Sequence, residues 1–160
     1  MIFKEIYEEY SQSVYRFCLS LVGNPDEAEE LMQETFYRAF LAADRFEGRS
    51  TVYTWLCQIG KNAWLKECRR RRRYGELPAG GSAAVDTAPS PEEWSIVQDE
   101  YARVRRAIFR LEEPYKDVFV LHMFSGLPLK EIAQAHGKSE SWARVSYYRA
   151  KQKIIQEAKG

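Results

Sequence analysis

Apolar side chains recur every three or four positions through most of the chain. Phe3, Ile6, Tyr7, Tyr10, Val14, Phe17, Cys18 and Leu21 share one helical face, so residues 3–22 read as an amphipathic helix. Gly23 ends it. Asn24 and Pro25 start the next one, with Asn24 as cap, Pro25 at the first helical position, and Asp26 and Glu27 at the positive end of the helix dipole. That helix is expected to run to about Ala43, with Ala28, Leu31, Met32, Phe36, Ala39 and Phe40 able to face inward. The loop DRFEGRST follows, broken at Gly48, and a third helix is expected from about Val52 to Arg72. Three such helices can share one small core.

The periodicity then stops. Residues 74–91, YGELPAGGSAAVDTAPSP, are rich in Gly, Pro, Ala and Ser and read as a flexible linker. Eighteen extended residues reach on the order of 60 Å. Pro91-Glu92-Glu93 opens a second unit, where Trp94, Val97, Tyr101, Val104, Ile108 and Leu111 make a helical stripe. Glu112-Glu113-Pro114 interrupts it, and Tyr115–Phe124 reads as a short apolar helix. No stretch shows strand-like alternation, and no internal repeat is present. The expected fold is all-α: three helices over 1–73, a linker over 74–91, and four helices over 92–160.

The last part of the second unit is the most specific. Residues 128–154, PLKEIAQAHGKSESWARVSYYRAKQKI, read as a short helix, a turn and a longer basic helix. Pro128 suits a first helical position, with Ile132 and Ala133 inward. Gly137 suits the turn, and Ser139 can cap the second helix. This is the pattern of a helix-turn-helix that lays its second helix in the DNA major groove. Tyr148 is expected to pack inward, and Tyr147 less so.

Net charge is only +1, yet it is strongly segregated. Residues 1–60 carry 5 Lys and Arg against 10 Asp and Glu, and residues 75–100 carry no basic residue against 6 acidic. Residues 61–74 carry 7 basic against 1 acidic, and residues 101–160 carry 12 against 6. Basic zones suit a polyanion, and acidic faces suit a protein partner with basic surface. Cys18, Cys57 and Cys68 lie within helical patterns, and an odd count without paired spacing speaks against a disulfide scaffold or a zinc site. No apolar h-region stands at the N-terminus and no run nears the roughly 20 apolar residues of a membrane span, so a cytoplasmic, soluble chain is expected. His122 and His136 are isolated, and no nucleophile elbow or phosphate loop occurs, so neither catalysis nor a cofactor is expected.

Two stretches give the arrangement a family likeness: DEAEELMQETFYRAFLAADRFEGRSTVYTWLCQIGKNAWLKECRRRRR and LEEPYKDVFVLHMFSGLPLKEIAQAHGKSESWARVSYYRAK. In this order, across a short linker, they resemble regions 2 and 4 of the extracytoplasmic-function (ECF) sigma factors, promoter-recognition subunits of bacterial RNA polymerase. The resemblance covers residues 10–73 and about 92–156. It implies a three-helix region 2 domain over 1–73 and a helix-turn-helix region 4 domain over 92–160.

The resemblance also implies sites. Glu30, Gln33, Glu34 and Tyr37 would dock on a coiled coil of the largest polymerase subunit, with Phe36 and Phe40 as further apolar candidates, and region 4 would meet the flap region. The loop Phe46–Tyr53 would capture a base flipped from the −10 element. Gly48, Ser50, Thr51 and Tyr53 supply the residue types such a pocket needs, with Trp55 as wedge or core. Lys61, Asn62, Lys66, Arg69 and Arg70 would meet bases or phosphates beyond it. The run Arg69–Arg73 covers every side of a helix and so favours phosphates over base edges. Ser141, Arg144, Val145, Ser146 and Arg149 would face the −35 element, with Arg144 as the guanine reader. Lys130, Lys151 and Arg149 would hold phosphates. Trp142 departs from the family, which has a smaller residue there. An anti-sigma factor is a further expected partner, through which the chain could be tethered at a membrane, and the active protein would sit on the nucleoid. The residues alone leave two other readings open: a stand-alone helix-turn-helix repressor, and an adaptor that binds partners without driving transcription.

Overall fold

The computed structural model describes residues 3–74 and 102–159. Its helices are α1 (Phe3–Val22), α2 (Pro25–Ala42), α3 (Val52–Arg73), the helical residues 102–110 (α4), α5 (Tyr115–Ser125), α6 (Leu129–Ala135) and α7 (Glu140–Lys159), with a 3-10 turn at Ala43–Arg45. Among the described residues there is no strand, in keeping with the all-α expectation. The linker from residue 75 on, and Trp94, Val97 and Tyr101 of the expected stripe, lie outside the described residues.

Local chemistry sets the helix boundaries. The Asn24 side chain accepts from the backbone N–H groups of Asp26 and Glu27, at 2.9 and 3.1 Å, and so satisfies donors that the first turn of α2 leaves free. Gly23 turns between α1 and α2 at φ 71°, a conformation that costs other residues dearly. Thr51 caps α3, accepting from the Thr54 N–H at 3.1 Å. Ser139 caps α7, accepting from the Trp142 N–H at 3.2 Å. Pro128 is the N-cap residue of α6 and not its first helical residue. Its ψ of 143° is extended, as a chain entering a helix requires.

α1, α2 and α3 pack around Val14, Phe17, Cys18, Leu21, Ala28, Phe36, Leu56 and Cys57, all buried. Gly60 lets α2 approach α3 closely, since a Cβ there would lie 3.1 Å from the Thr35 hydroxyl. α5, α6 and α7 enclose Val118, Val120, Leu121, Ile132, Ala143 and Ala150. Val104, expected inside, is 39% exposed, whereas Ala107, Ile108 and Leu111 carry the inward face. Phe40 is exposed too, its ring edge-on to Phe3 with centroids 5.3 Å apart.

The two helical groups are not separate in this structure. A single buried cluster runs from α1 through α3 to α5. Trp64 of α3 meets the Phe109 ring edge-on at 6.5 Å. Ser20 of α1 donates to the Phe124 carbonyl at 3.0 Å. Arg105 Nη2 donates to the Leu21 carbonyl at 2.6 Å, satisfying an acceptor at the C-terminal end of α1.

Candidate polymerase and nucleic-acid surfaces

α2 presents Glu30, Gln33, Glu34 and Tyr37 to solvent on one side, because its other side carries the buried Leu31, Met32, Thr35, Phe36 and Ala39. Tyr37 is 60% exposed, as are Phe40 and Leu41 near it. Four carboxylate, amide and aromatic side chains thus stand in a row one to two turns long. Glu34 is paired with Arg38 at 2.7 Å, an exposed contact that an incoming cation can replace at little cost. Phe36 is core: its ring packs at 4.9 Å from Tyr7.

A groove of about 510 Å³ runs between α2 and α3. Glu30 and Glu34 line one bank, and Lys66, Arg70 and Arg73 line the other. Glu67 organises that basic bank. Hydrogen bonds from Arg70 outweigh partial burial, and with those from Arg71 they hold the Glu67 carboxyl below its ordinary range. Arg71 crosses to Glu27 of α2 at 3.3 Å, and Arg72 stands over the Phe109 ring at 5.5 Å. The arginine run is therefore divided. Arg69, Arg70, Arg72 and Arg73 remain exposed, while Arg71 staples two helices.

The loop before α3 is half-anchored. The Phe46 ring packs on Trp55 with centroids 4.9 Å apart, so Trp55 supports the loop from the partly buried side. Gly48 is exposed at φ 74° with open space around it, and Ser50 donates to the Thr51 carbonyl. The Thr51 hydroxyl is engaged at the α3 cap and with the Thr54 hydroxyl at 2.8 Å. Tyr53 turns away from the loop and stacks on Tyr10 at 6.2 Å. Beyond the loop, Asn62, Lys66, Arg69 and Arg70 face solvent.

Lys61 does not. It is 3% exposed, and its ammonium lies 2.7 Å from Asp117 Oδ1 and 3.2 Å from Glu113 Oε1. Successive helical residues are 100° apart, so Asn62 points outward while Lys61 points at α5. No local pattern reveals this, because the partners lie 52 and 56 positions away.

In the helix-turn-helix, Gly137 takes φ 66° at the turn and α7 runs for 20 residues. Ser141, Arg144, Val145, Arg149 and Lys151 are exposed on α7, and Lys130 is exposed on α6. Arg144 is paired with Glu140 at 2.8 Å across one turn. Ser146 is a correction: at 4% exposure it lies on the inner side of α7 beside Ala143 and Ala150, out of reach of a duplex on the outer side. The two tyrosines are also reversed. Tyr147 stacks on Phe119 at 5.6 Å and meets His122 edge-on at 4.7 Å, whereas Tyr148 is 62% exposed. Tyr148 thus joins the outer row. The spacing 141, 144, 145, 148 carries that signal, since these positions share a helical face. Trp142 is partly buried, its ring 5.2 Å from that of His136. Among the described residues no group of three or more His, Cys, Asp and Glu side chains is placed to hold a metal ion, and no helix is long and apolar enough to cross a membrane.

Residues 6–74 match the sigma-70 region 2 family, and residues 101–154 match sigma-70 region 4. The ECF RNA polymerase sigma factor SigM of Bacillus subtilis is 29% identical over 156 residues, covering 96% of this chain and 93% of that protein. The ECF RNA polymerase sigma factor EcfG of Rhodopseudomonas palustris is 30% identical over 142 residues, covering 89% and 77%. The fold is similar to that of the sigma factor RpoE solved with the anti-sigma factor NepR from Bartonella quintana, at TM-score 0.57 and 23% identity over 98% of this chain and 96% of that one.

Proposed function

The chain belongs to the ECF RNA polymerase sigma factors, and from that membership we propose how its surfaces share the work. As a sigma factor it binds core RNA polymerase and directs initiation at particular promoters. Residues 1–73 act as the region 2 unit and residues 92–160 as the region 4 unit, with 74–91 as linker.

The α2 row Glu30, Gln33, Glu34 and Tyr37 docks on the polymerase coiled coil. Its carboxylates complement a basic helix, and its aromatic ring supplies the anchor. Gly48, Ser50 and Thr51 cradle a flipped −10 base, while Trp55 holds the loop from behind through Phe46 and Tyr53 stays packed on Tyr10. Asn62, Lys66, Arg69 and Arg70 follow the strand, largely through phosphates. The outer row of α7 reads the −35 element, with Arg144 exchanging Glu140 for a guanine edge and Ser141, Val145 and Tyr148 beside it. Lys130, Arg149 and Lys151 hold phosphates. The observation that carries this reading is that both rows are presented to solvent on helices whose opposite faces are buried.

The sigma factor RpoE, of similar fold, has been solved with the anti-sigma factor NepR, and CnrH, also of similar fold, with the cytosolic domain of CnrY. The same kind of partner here would mask these rows and hold the chain in the cytoplasm, at the nucleoid when released or near a membrane when bound. Family membership sets aside the stand-alone repressor. The adaptor reading is separated by experiment: run-off transcription with core polymerase and a genomic fragment library. New transcripts that disappear with Glu34→Ala or Arg144→Ala support an active sigma factor. Core binding without any transcript supports the adaptor.

A further inference from the structure

We propose that Trp142 and His136, anchored on Asp117, form a brace that sets the pose of α7 against a duplex, so that Trp142 is a positioning residue for −35 specificity. It acts through α7 and not on a base. This rests on the reading of the outer row of α7 as the −35 surface.

α7 is held on two flanks. At about 100° per residue, Ser141, Arg144, Val145 and Tyr148 gather on one side of the axis, opposite the buried Ala143, Ser146 and Ala150. Trp142 and Tyr147 stand on either flank of that buried row, about 140° apart around the axis. The Tyr147 flank is closed by Phe119 and His122 of α5. The Trp142 flank is closed by His136, with ring centroids 5.2 Å apart and planes tilted by 43°. One contact decides which side of α7 faces out, yet leaves a pivot. A second contact on the other flank removes it. At the roughly 5–6 Å outer radius of a helix, 10° of roll moves a side-chain end by about 1 Å. That exceeds the about 0.5 Å within which a working contact must be held.

His136 cannot follow Trp142. Its Nε2 donates to Oδ2 of Asp117, a buried carboxylate of α5. Its backbone N–H bonds the Ile132 and Ala133 carbonyls at 3.2 and 3.1 Å, and the Lys138 N–H returns to Ala133 at 2.9 Å. The Ser139 hydroxyl accepts the Trp142 N–H at 3.2 Å, which ties the first turn of α7 to the same segment. A chain of contacts thus runs from Asp117 through His136 to Trp142. The charge-assisted hydrogen bond fixes a direction, and the indole spreads the contact over a broad face. The core beneath is already closed by Ile132, Ala133, Ala143 and Ala150, whereas Trp142 lies partly exposed at its rim. Losing the indole therefore frees the pose of α7 more than it empties the core.

The test uses the full chain with core polymerase. Wild type first enriches duplexes from a random-sequence pool. Competition anisotropy then compares the enriched duplex with its single-base variants for wild type, Trp142→Ala, Trp142→Phe and His136→Gln, alongside melting temperatures. Trp142→Ala is expected to reduce preference for the enriched duplex by about fivefold or more, while binding to an unselected duplex, which depends on phosphates, stays within about twofold. Trp142→Phe, which keeps a ring against His136, is expected to restore most of the preference. His136→Gln can still donate to Asp117 but lacks the ring, and is expected to lose preference as Trp142→Ala does. It carries the test where Trp142→Ala fails to fold. A lower melting temperature with equal loss on every duplex, or unchanged preference in Trp142→Ala and His136→Gln, overturns the brace alone. A wild type that enriches no sequence overturns the −35 reading, and the brace with it.

Discussion

Tyr147 lies nearly parallel to Phe119, with ring centroids 5.6 Å apart and an interplanar angle of 14°. This stack ties α7 to α5 and fixes which way α7 rolls. With Tyr147 inward, Arg144, Val145 and Tyr148 must point outward. Tyr147→Ala is expected to destabilise the fold by about 2–4 kcal/mol, in line with removal of a packed aromatic side chain. Tyr148→Ala is expected to leave the melting temperature nearly unchanged and to weaken −35 duplex binding. Thermal unfolding and duplex anisotropy on both variants check the assignment.

Arg144 and Lys130 are expected to fail differently. Arg144→Ala should cost about 1–3 kcal/mol at one base pair of the −35 element and relax preference there. Lys130→Ala should weaken binding to every sequence alike and reduce the salt slope by roughly 0.9. Competition binding across single-base variants of the promoter, repeated at several salt concentrations, distinguishes them.

Asp117 gives a pH dependence with a definite sign. Burial raises its carboxyl, but the hydrogen bond from His136 and the charge of Lys61 outweigh burial and place it below the ordinary value of 3.8. A group depressed in the folded state stabilises above its unfolded pKa and loses that stabilisation as pH falls through the folded one. The wild-type advantage over Asp117→Asn should be intact above about pH 4 and shrink below it. Denaturant melts of both proteins at pH 6, 4 and 3 check this.

The cysteines are expected to be inert in the native state. Burial pushes the Cys18 and Cys57 thiols up to about 12 and Cys68 to about 11, so almost no thiolate forms near neutral pH. Alkylation by iodoacetamide at pH 8 should be slow, and should accelerate to free-thiol rates in denaturant. Rapid native alkylation would show that the core opens locally.

Ser139 accepts the Trp142 N–H at the start of α7. Ser139→Ala should cost about 1 kcal/mol, and Ser139→Asp should retain the cap. Chemical denaturation midpoints measure both.

The helices, the Asn24 and Ser139 caps and most of the inward faces were legible in the sequence because they depend on neighbours three and four positions away. Asn24 at its cap, Gly137 at its turn and the buried Phe17 and Ile132 all obey such local rules. The outer row of α2 was legible for the same reason, and the family likeness lay in motifs of similar range. The roll of α7 was not, because two adjacent tyrosines have the same local chemistry and only Phe119 and His122 distinguish them. Lys61 illustrates the larger gap. Its sequence context says only that it is basic and follows a helix start. Its burial is decided by Glu113 and Asp117, which no periodicity connects to it. Sequence fixed the secondary elements through short-range hydrogen bonding and hydrophobic period, whereas tertiary packing decided which charges remain available to a partner, because desolvation and ion pairing depend on what the fold brings opposite each group.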